Sequence, residues 1–141
     1  MAPRYSFQTT AELKNLSQIR DFVEKAAMSI GIEPDLIPNV QLAVDEVATN
    51  VMLHGYHGQA GSLEVELERV GSDLVVRLRD EAPPFDPTTV PPPDLGLPLA
   101  KRPIGGLGIH LVRRTMDEII HRVTPTGGNE LTLVKRIAAG G

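Results

Sequence analysis

Glu46 and Asn50 stand four residues apart in "LAVDEVATNVMLHGY", so on a helix they share one face. An asparagine amide oxygen suits Mg²⁺, a hard cation that prefers oxygen ligands. A carboxylate one turn away can orient or deprotonate a group that attacks a phosphate. Asparagine is a mediocre residue inside a helix, so the pair asks for a reason. The plainer reading is an ordinary amphipathic helix edge. Asp45 and Thr49 repeat the spacing on a neighbouring face and read as solvated or supporting groups.

Three more stretches carry chemistry. Asp80 closes a strand-like run in "LVVRLRDEAPPFDP", and a carboxylate at a strand end can accept a hydrogen bond from an exocyclic amine such as that of adenine. Its alternative is a solvated strand terminus paired with Arg77 or Arg79. The proline-dense 81–104 segment holds Lys101 and Arg102 near its end and reads either as a cationic cover for a triphosphate or as a solvated loop. In "RPIGGLGIHLVRRTMDEI", Gly105, Gly106, Leu107 and Gly108 open a helical pattern. A bare backbone at a helix N-terminus offers free N–H groups to a phosphate, although a flexible joint would look the same.

Other chemistries lack their motifs. There is no G-x-x-x-x-G-K-[ST] phosphate loop. "GLGIHL" lacks the third glycine of a dinucleotide fingerprint. "HRV" at His121 is not the H-R-D of protein kinases. His54 and His57 flank Gly55 without the carboxylates or cysteines of a metal site.

The elements that must position these residues follow from periodicity. "YSFQTT" alternates as a short strand, and Thr10 is expected to cap a helix that starts at Ala11 and stops at Gly31. A second helix is expected from about Asn39 to His54, with Gly55 as its stop. "SLEVELERV" and "LVVRLRD" form a hairpin around "GSD". A third helix runs from about Leu107 to Met116, and "EIIHRVT" and "ELTLVKRI" make a last hairpin. The sum is an α+β two-layer sandwich, with a mixed but mostly antiparallel sheet of about five strands under about three helices on one face.

The bulk numbers narrow the function. A chain of 141 residues, 41% apolar, suits a single domain over 1–141 with a frayed 138–141 tail. A net charge of −4 without a basic cluster argues against direct nucleic-acid binding. Two tyrosines, three phenylalanines and no tryptophan leave little for base stacking. No apolar run reaches the roughly 18 residues of a membrane span, and "MAPRYSFQTT" lacks a signal-peptide core. The absence of cysteine fits a reducing cytoplasm.

In order along the chain, E-x-x-x-N on a helix, a strand-end Asp, a long loop and G-G-x-G opening a helix resemble the ATP-binding domain of histidine kinases, Hsp90-type chaperones, gyrase B and MutL. More closely, "LAVDEVATNVMLHGY", "RDEAPPFDP", "RPIGGLGIHLVRRTMDEI" and "NELTLVKRI" are similar to the anti-sigma factor serine/threonine kinases of bacterial partner switching, from about Phe7 to Ile137. The resemblance implies the Bergerat-type fold and Mg·ATP as ligand. Glu46 would be the general base, Asn50 the Mg²⁺ ligand and Asp80 the adenine anchor. Ala82, Lys101, Arg102, Gly105, Gly106, Leu107 and Gly108 would contact the nucleotide.

As partners it implies a STAS-type anti-anti-sigma protein and a sigma factor or other effector, and homodimerisation follows from the resemblance alone. One departure stands out: the wider superfamily has D-x-G-x-G, whereas here Ala82 and Pro84 replace the glycines. A positive φ at Ala82 would cost about 1–2 kcal/mol. Two rivals remain: a nucleotide- or partner-binding module that never catalyses, and a detached histidine-kinase-type ATPase domain acting on a separate histidine protein.

Overall fold

The structure, a computed structural model, describes residues 4–89 and 106–137, with only the backbone of Thr89 and of 106–110. Five strands, β1 (Arg4–Thr10), β2 (Ser62–Val70), β3 (Asp73–Asp80), β4 (Glu118–Val123) and β5 (Asn129–Arg136), form one sheet in the order β1-β2-β3-β5-β4. All four pairings are antiparallel, so the sheet is not mixed. Three helices, α1 (Leu16–Ile30), α2 (Ile37–Asn50) and α3 (Gly106–Thr115), lie on one face, and α2 packs against both of the others. No helix among the described residues is long and apolar enough to cross a membrane.

Alternation along the strands decides which side chains meet the helices. On β3 the helix-facing set is Leu74, Val76, Leu78 and Asp80, and on β2 it is Leu63, Val65 and Leu67, all buried. Helical spacing does the same on α1, where Ile19, Val23, Ala26, Ala27 and Ile30 are buried. Phe7 of β1 stacks on Phe22 of α1 with ring centroids 5.5 Å apart. Gly31 ends α1 at φ 93°, and its N–H reaches the carbonyls of Ala27 and Met28. α3 buries Val112, and Arg113 donates to the Thr88 carbonyl, tying that helix to the turn at Pro87–Thr89.

The expected helix start at Ala11 is corrected. β1 runs through Thr10, which pairs with Ser62, and the helical run begins at Leu13. Thr10 instead receives the Asn15 amide at 2.8 Å and donates to Glu12. The strand's ladder bonds outweigh a local capping preference. The second helix begins earlier than expected, at Ile37, with Pro38 in its first turn where no N–H is needed.

The outer face of the sheet is an ionic ladder. Arg77 bridges Glu66 and Glu68, both at 2.9 Å, and Arg79 bridges Glu130 at 2.7 Å, Glu64 at 2.5 Å and Glu66 at 3.3 Å. Both arginines are thereby committed, and Glu66 and Glu130 are buried beneath them. Burial would lower the Arg79 pKa, but the hydrogen bonds from Glu130, Glu64 and Glu66 outweigh it and raise it.

Candidate functional site

α2 ends at Asn50 and passes into a wider π-helical turn, Val51–Gly55, closed by the Tyr56 N–H on the Val51 carbonyl at 2.8 Å. Such a turn swells the helix by one residue and re-aims the chain beyond it. His57 then adopts φ 52° and Gly58 φ 79°, reversing the chain toward β2. The turn, the end of β3, the start of β5 and residues 82–87 enclose a cavity of about 400 Å³. That lies within the roughly 300–1,000 Å³ usual for small-molecule sites. Val47, Val51, Leu78 and Leu131 supply apolar wall, and Asn50, Asp80, His54, His57, His121 and Asn129 supply polar groups.

Asp80 stands on the helix side because of its register, two residues beyond Leu78, and is only 5% exposed. Both of its protein hydrogen bonds end on Oδ1, from the Asn129 amide nitrogen and from the Ala82 N–H, each at 2.9 Å. Oδ2 has no protein partner among the described residues. Burial pushes the carboxyl above its ordinary value, against the pull of the Asn129 and Ala82 bonds. The alternative of an Arg77 or Arg79 partner is excluded, since those arginines lie on the opposite face of the sheet with their glutamates.

Asn129 faces Asp80 across the β3–β5 ladder. Its Oδ1 accepts from the Phe85 N–H at 2.9 Å and from His121 Nε2 at 2.7 Å, and its Nδ2 also reaches the Ala82 and Pro83 carbonyls at 3.2 Å. An amide oxygen only accepts, so the proton of this contact sits on His121 Nε2. Close approach is built in on both sides. A side chain at Gly128 would run into the Asp80 carbonyl oxygen, and a Cβ at Gly55 would lie 3.1 Å from that of Ala82.

The family model described as a histidine kinase-like ATPase domain matches residues 9–135. The chain belongs to the histidine kinase-like ATPase family. Within it, the chain is similar to the serine-protein kinase RsbW of Bacillus cereus (strain AH820), at 26% identity over 113 residues, 77% of this chain and 71% of that protein. The serine-protein kinase RsbW of Bacillus thuringiensis (strain Al Hakam) matches at the same 26% identity and coverage. The solved structure of the RsbU and RsbW domains of Rv1364c from Mycobacterium tuberculosis has the same fold, with a TM-score of 0.66 over 95% of this chain at 17% identity. This chain spans 32% of that larger one.

Against this family background, the residues singled out in the sequence fall into four groups. Asn50, Asp80 and Ala82 line one cavity. Glu46 is not on its wall; it lies one turn before Asn50 on α2, half-buried, and makes no hydrogen bond or ion pair among the described residues. Gly106, Leu107 and Gly108 form the first residues of α3, one residue earlier than the sequence suggested. Lys101, Arg102, Gly105, the 90–105 part of the expected cover and the 138–141 tail lie outside the described residues. The described start of the cover, Ala82 to Phe85 with Pro87, forms part of the cavity wall.

Ala82 does not adopt a positive φ, since His57 is the single non-glycine residue that does among those described. The replaced glycine therefore carries no backbone strain. Asp45, expected to be a solvated or supporting group, pairs with Arg20 of α1 at 3.1 Å. Sequence reasoning passed over Asn129, His121 and Tyr56. "GGNELTL" and "EIIHRV" hold the first two, but only the β4–β5–β3 register shows that they converge on Asp80.

The cavity fits a nucleotide by its own chemistry. An apolar slot of this volume suits a purine, and an unpartnered carboxylate oxygen at its end suits an amine. No three or more His, Cys, Asp or Glu side chains among the described residues gather as a metal cage. Asn50 offers a side-chain oxygen on the cavity wall, a donor type that Mg²⁺ takes together with phosphates and water.

Proposed function

We propose that this chain is an Mg·ATP-dependent protein serine/threonine kinase of the cytoplasm that doubles as an anti-sigma regulatory factor. It phosphorylates a STAS-type anti-anti-sigma protein and sequesters a sigma factor or related effector. The observation that carries the reading is Asp80, buried at the end of an apolar cavity with Oδ2 open and with Asn50 on the same wall. The RsbW relatives, named as serine-protein kinases, support the choice of acceptor class.

When bound, ATP supplies the phosphoryl group and its Mg²⁺ offsets the charge that develops during transfer. The chain's own residues position and accept. Asp80 Oδ2 takes the hydrogen bond of the adenine amine. The Asn50 amide oxygen is the metal ligand. The backbone N–H groups of Gly106, Leu107 and Gly108, which have no acceptor within α3, are donors for phosphate oxygens. Glu46 takes the proton of the serine or threonine hydroxyl of the partner protein.

Glu46 lies off the cavity wall, and this favours one second reading: a module that binds nucleotide and partner without catalysis. The two readings separate in one experiment. The chain is incubated with Mg·ATP and STAS-domain proteins from the same genome, and any phosphate is located by mass spectrometry. Acid-stable phosphate on serine or threonine, lost in Glu46→Gln while ATP binding persists, is the expected result. Transfer that survives in Glu46→Gln removes Glu46 as the base, and no transfer by the wild type leaves the binding module.

A further inference from the structure

A carboxylate by itself is a poor judge of purines. With both oxygens open it accepts the N1–H and 2-amino group of guanine together, a bidentate match, at least as well as the single exocyclic amine of adenine. Something else in the site must restrict it.

The Asp80 carboxylate is half closed. Its Oδ1 already accepts from the Asn129 amide nitrogen and the Ala82 N–H, each at 2.9 Å, and only Oδ2 is left toward the cavity. The Asn129 amide is itself held in one orientation. Its oxygen accepts the Phe85 N–H at 2.9 Å and the His121 Nε2–H at 2.7 Å. A flipped amide would set donor against donor at Phe85, and oxygen against oxygen at Asp80 and at the Ala82 and Pro83 carbonyls; in the orientation so fixed, the His121 Nε2–H adds a second bond to the amide oxygen. His121 stands on β4, two strands from Asp80, so the chain of bonds crosses the sheet from β4 through β5 to β3.

We infer that Asn129, supported by His121, is a specificity-determining positioning residue: by occupying one oxygen of Asp80 it leaves a single acceptor in the cavity and selects adenine over guanine nucleotides. This rests on the nucleotide-binding reading above and adds the source of its base preference. Neither side chain needs to touch the base, because both act through the shape and occupancy of the Asp80 carboxylate.

The test is calorimetric titration of Mg·ATP and Mg·GTP into the full chain and its variants. The wild type is expected to prefer ATP. Asn129→Leu keeps the side-chain size but can neither donate nor accept, and the ATP-to-GTP affinity ratio is expected to fall at least tenfold. Asn129→Ser, which retains a donor, is expected to recover part of it. If Asn129→Leu does not fold, His121→Phe decides: the ratio falls several-fold there and returns in His121→Gln, which restores a donor.

A purely structural role would weaken both nucleotides together. An unchanged ratio in Asn129→Leu, or in His121→Phe where that variant decides, therefore overturns the inference. Equal wild-type affinity for ATP and GTP overturns it while leaving nucleotide binding intact. A wild type that binds neither overturns the reading beneath it, and this inference with it.

Discussion

The phenolic oxygen of Tyr56 accepts the Glu81 backbone N–H at 2.6 Å and donates to the Ser62 carbonyl at 2.7 Å. One side chain thus joins the turn that follows Asn50, the first residue of β2 and the residue after Asp80. The ring also fills the space that a side chain at Gly61 would need. Tyr56 is a brace between the two elements that supply the cavity's key polar groups.

Removing that hydroxyl should loosen the brace without emptying the space. Tyr56→Phe is expected to lose about 1–2 kcal/mol of stability in urea denaturation, the usual worth of one or two hydrogen bonds with a stranded partner. ATP affinity should fall in parallel, because the Asp80 strand end is no longer fixed. Unchanged values for both would remove Tyr56 from the site's support.

Asp80 should set stability against binding. Burial raises its folded pKa above the unfolded value, so the folded protein holds the proton more tightly. Folding is therefore favoured at lower pH by this group, and that contribution is lost as pH rises through the folded pKa. Asp80→Asn has no charge to bury, and it is expected to melt at a higher temperature than the wild type at pH 7. The gap should close as the pH is lowered. Melting curves across pH check this, and a lower melting point for Asp80→Asn at pH 7 would contradict it.

The ionic ladder on the outer face has the opposite sign. Hydrogen bonds from Arg77 and then Arg4 hold the Glu68 carboxyl below its ordinary 4.5. Burial pushes Glu130 up, but Arg79, with Arg122 and Arg77 beyond, outweighs it and holds that group low as well. These carboxylates stabilise the fold above their ordinary pKa and lose that contribution as pH falls through the lowered values. The double variant Glu68→Gln/Glu130→Gln is expected to flatten the acid limb of the stability curve below about pH 4.5. Arg79→Met, which leaves buried Glu130 with Arg122 alone and removes the Arg79 bonds to Glu64 and Glu66, is expected to cost about 1–3 kcal/mol at pH 7.

Gly128 reports on the β3–β5 closure. Its missing side chain is what lets Asn129 lie against Asp80, and Gly128→Ala is expected to lose about 1–3 kcal/mol of stability through forced separation of the two strands. Its ATP affinity should fall as well. An alanine variant that is as stable and as tight as the wild type would show that the strands can part at no cost.

Much of this arrangement was legible in the sequence because it is local. Two-residue alternation gave the strands, helical spacing gave α1 and α2, and Gly31 marked the end of α1, whereas α2 ends at Asn50 and Gly55 closes the π-helical turn beyond it. Asn50 was singled out by its spacing from Glu46 inside a helix, and Asp80 by its place at a strand end. What stayed hidden depends on pairing across the chain. Asn129 meets Asp80 only through the β3–β5 register, His121 meets Asn129 only through β4–β5, and the Arg79 ladder needs both neighbours of β3. Thr10 was misread for the same reason, since its pairing with Ser62 keeps it in a strand where a local signal favoured a helix cap. The replaced glycine at Ala82 could not be judged without its backbone angle.

The central claim is that the cavity beneath Asn50 and Asp80 holds a nucleotide. Calorimetric titration of Mg·ATP into the wild type and Asp80→Asn tests this most directly. In the variant the open Oδ2 becomes an NH₂ that faces the adenine amine, donor against donor. One site per chain in the wild type, weakened at least tenfold in Asp80→Asn, is the expected result. No binding by the wild type, or equal affinity in the two proteins, would contradict it.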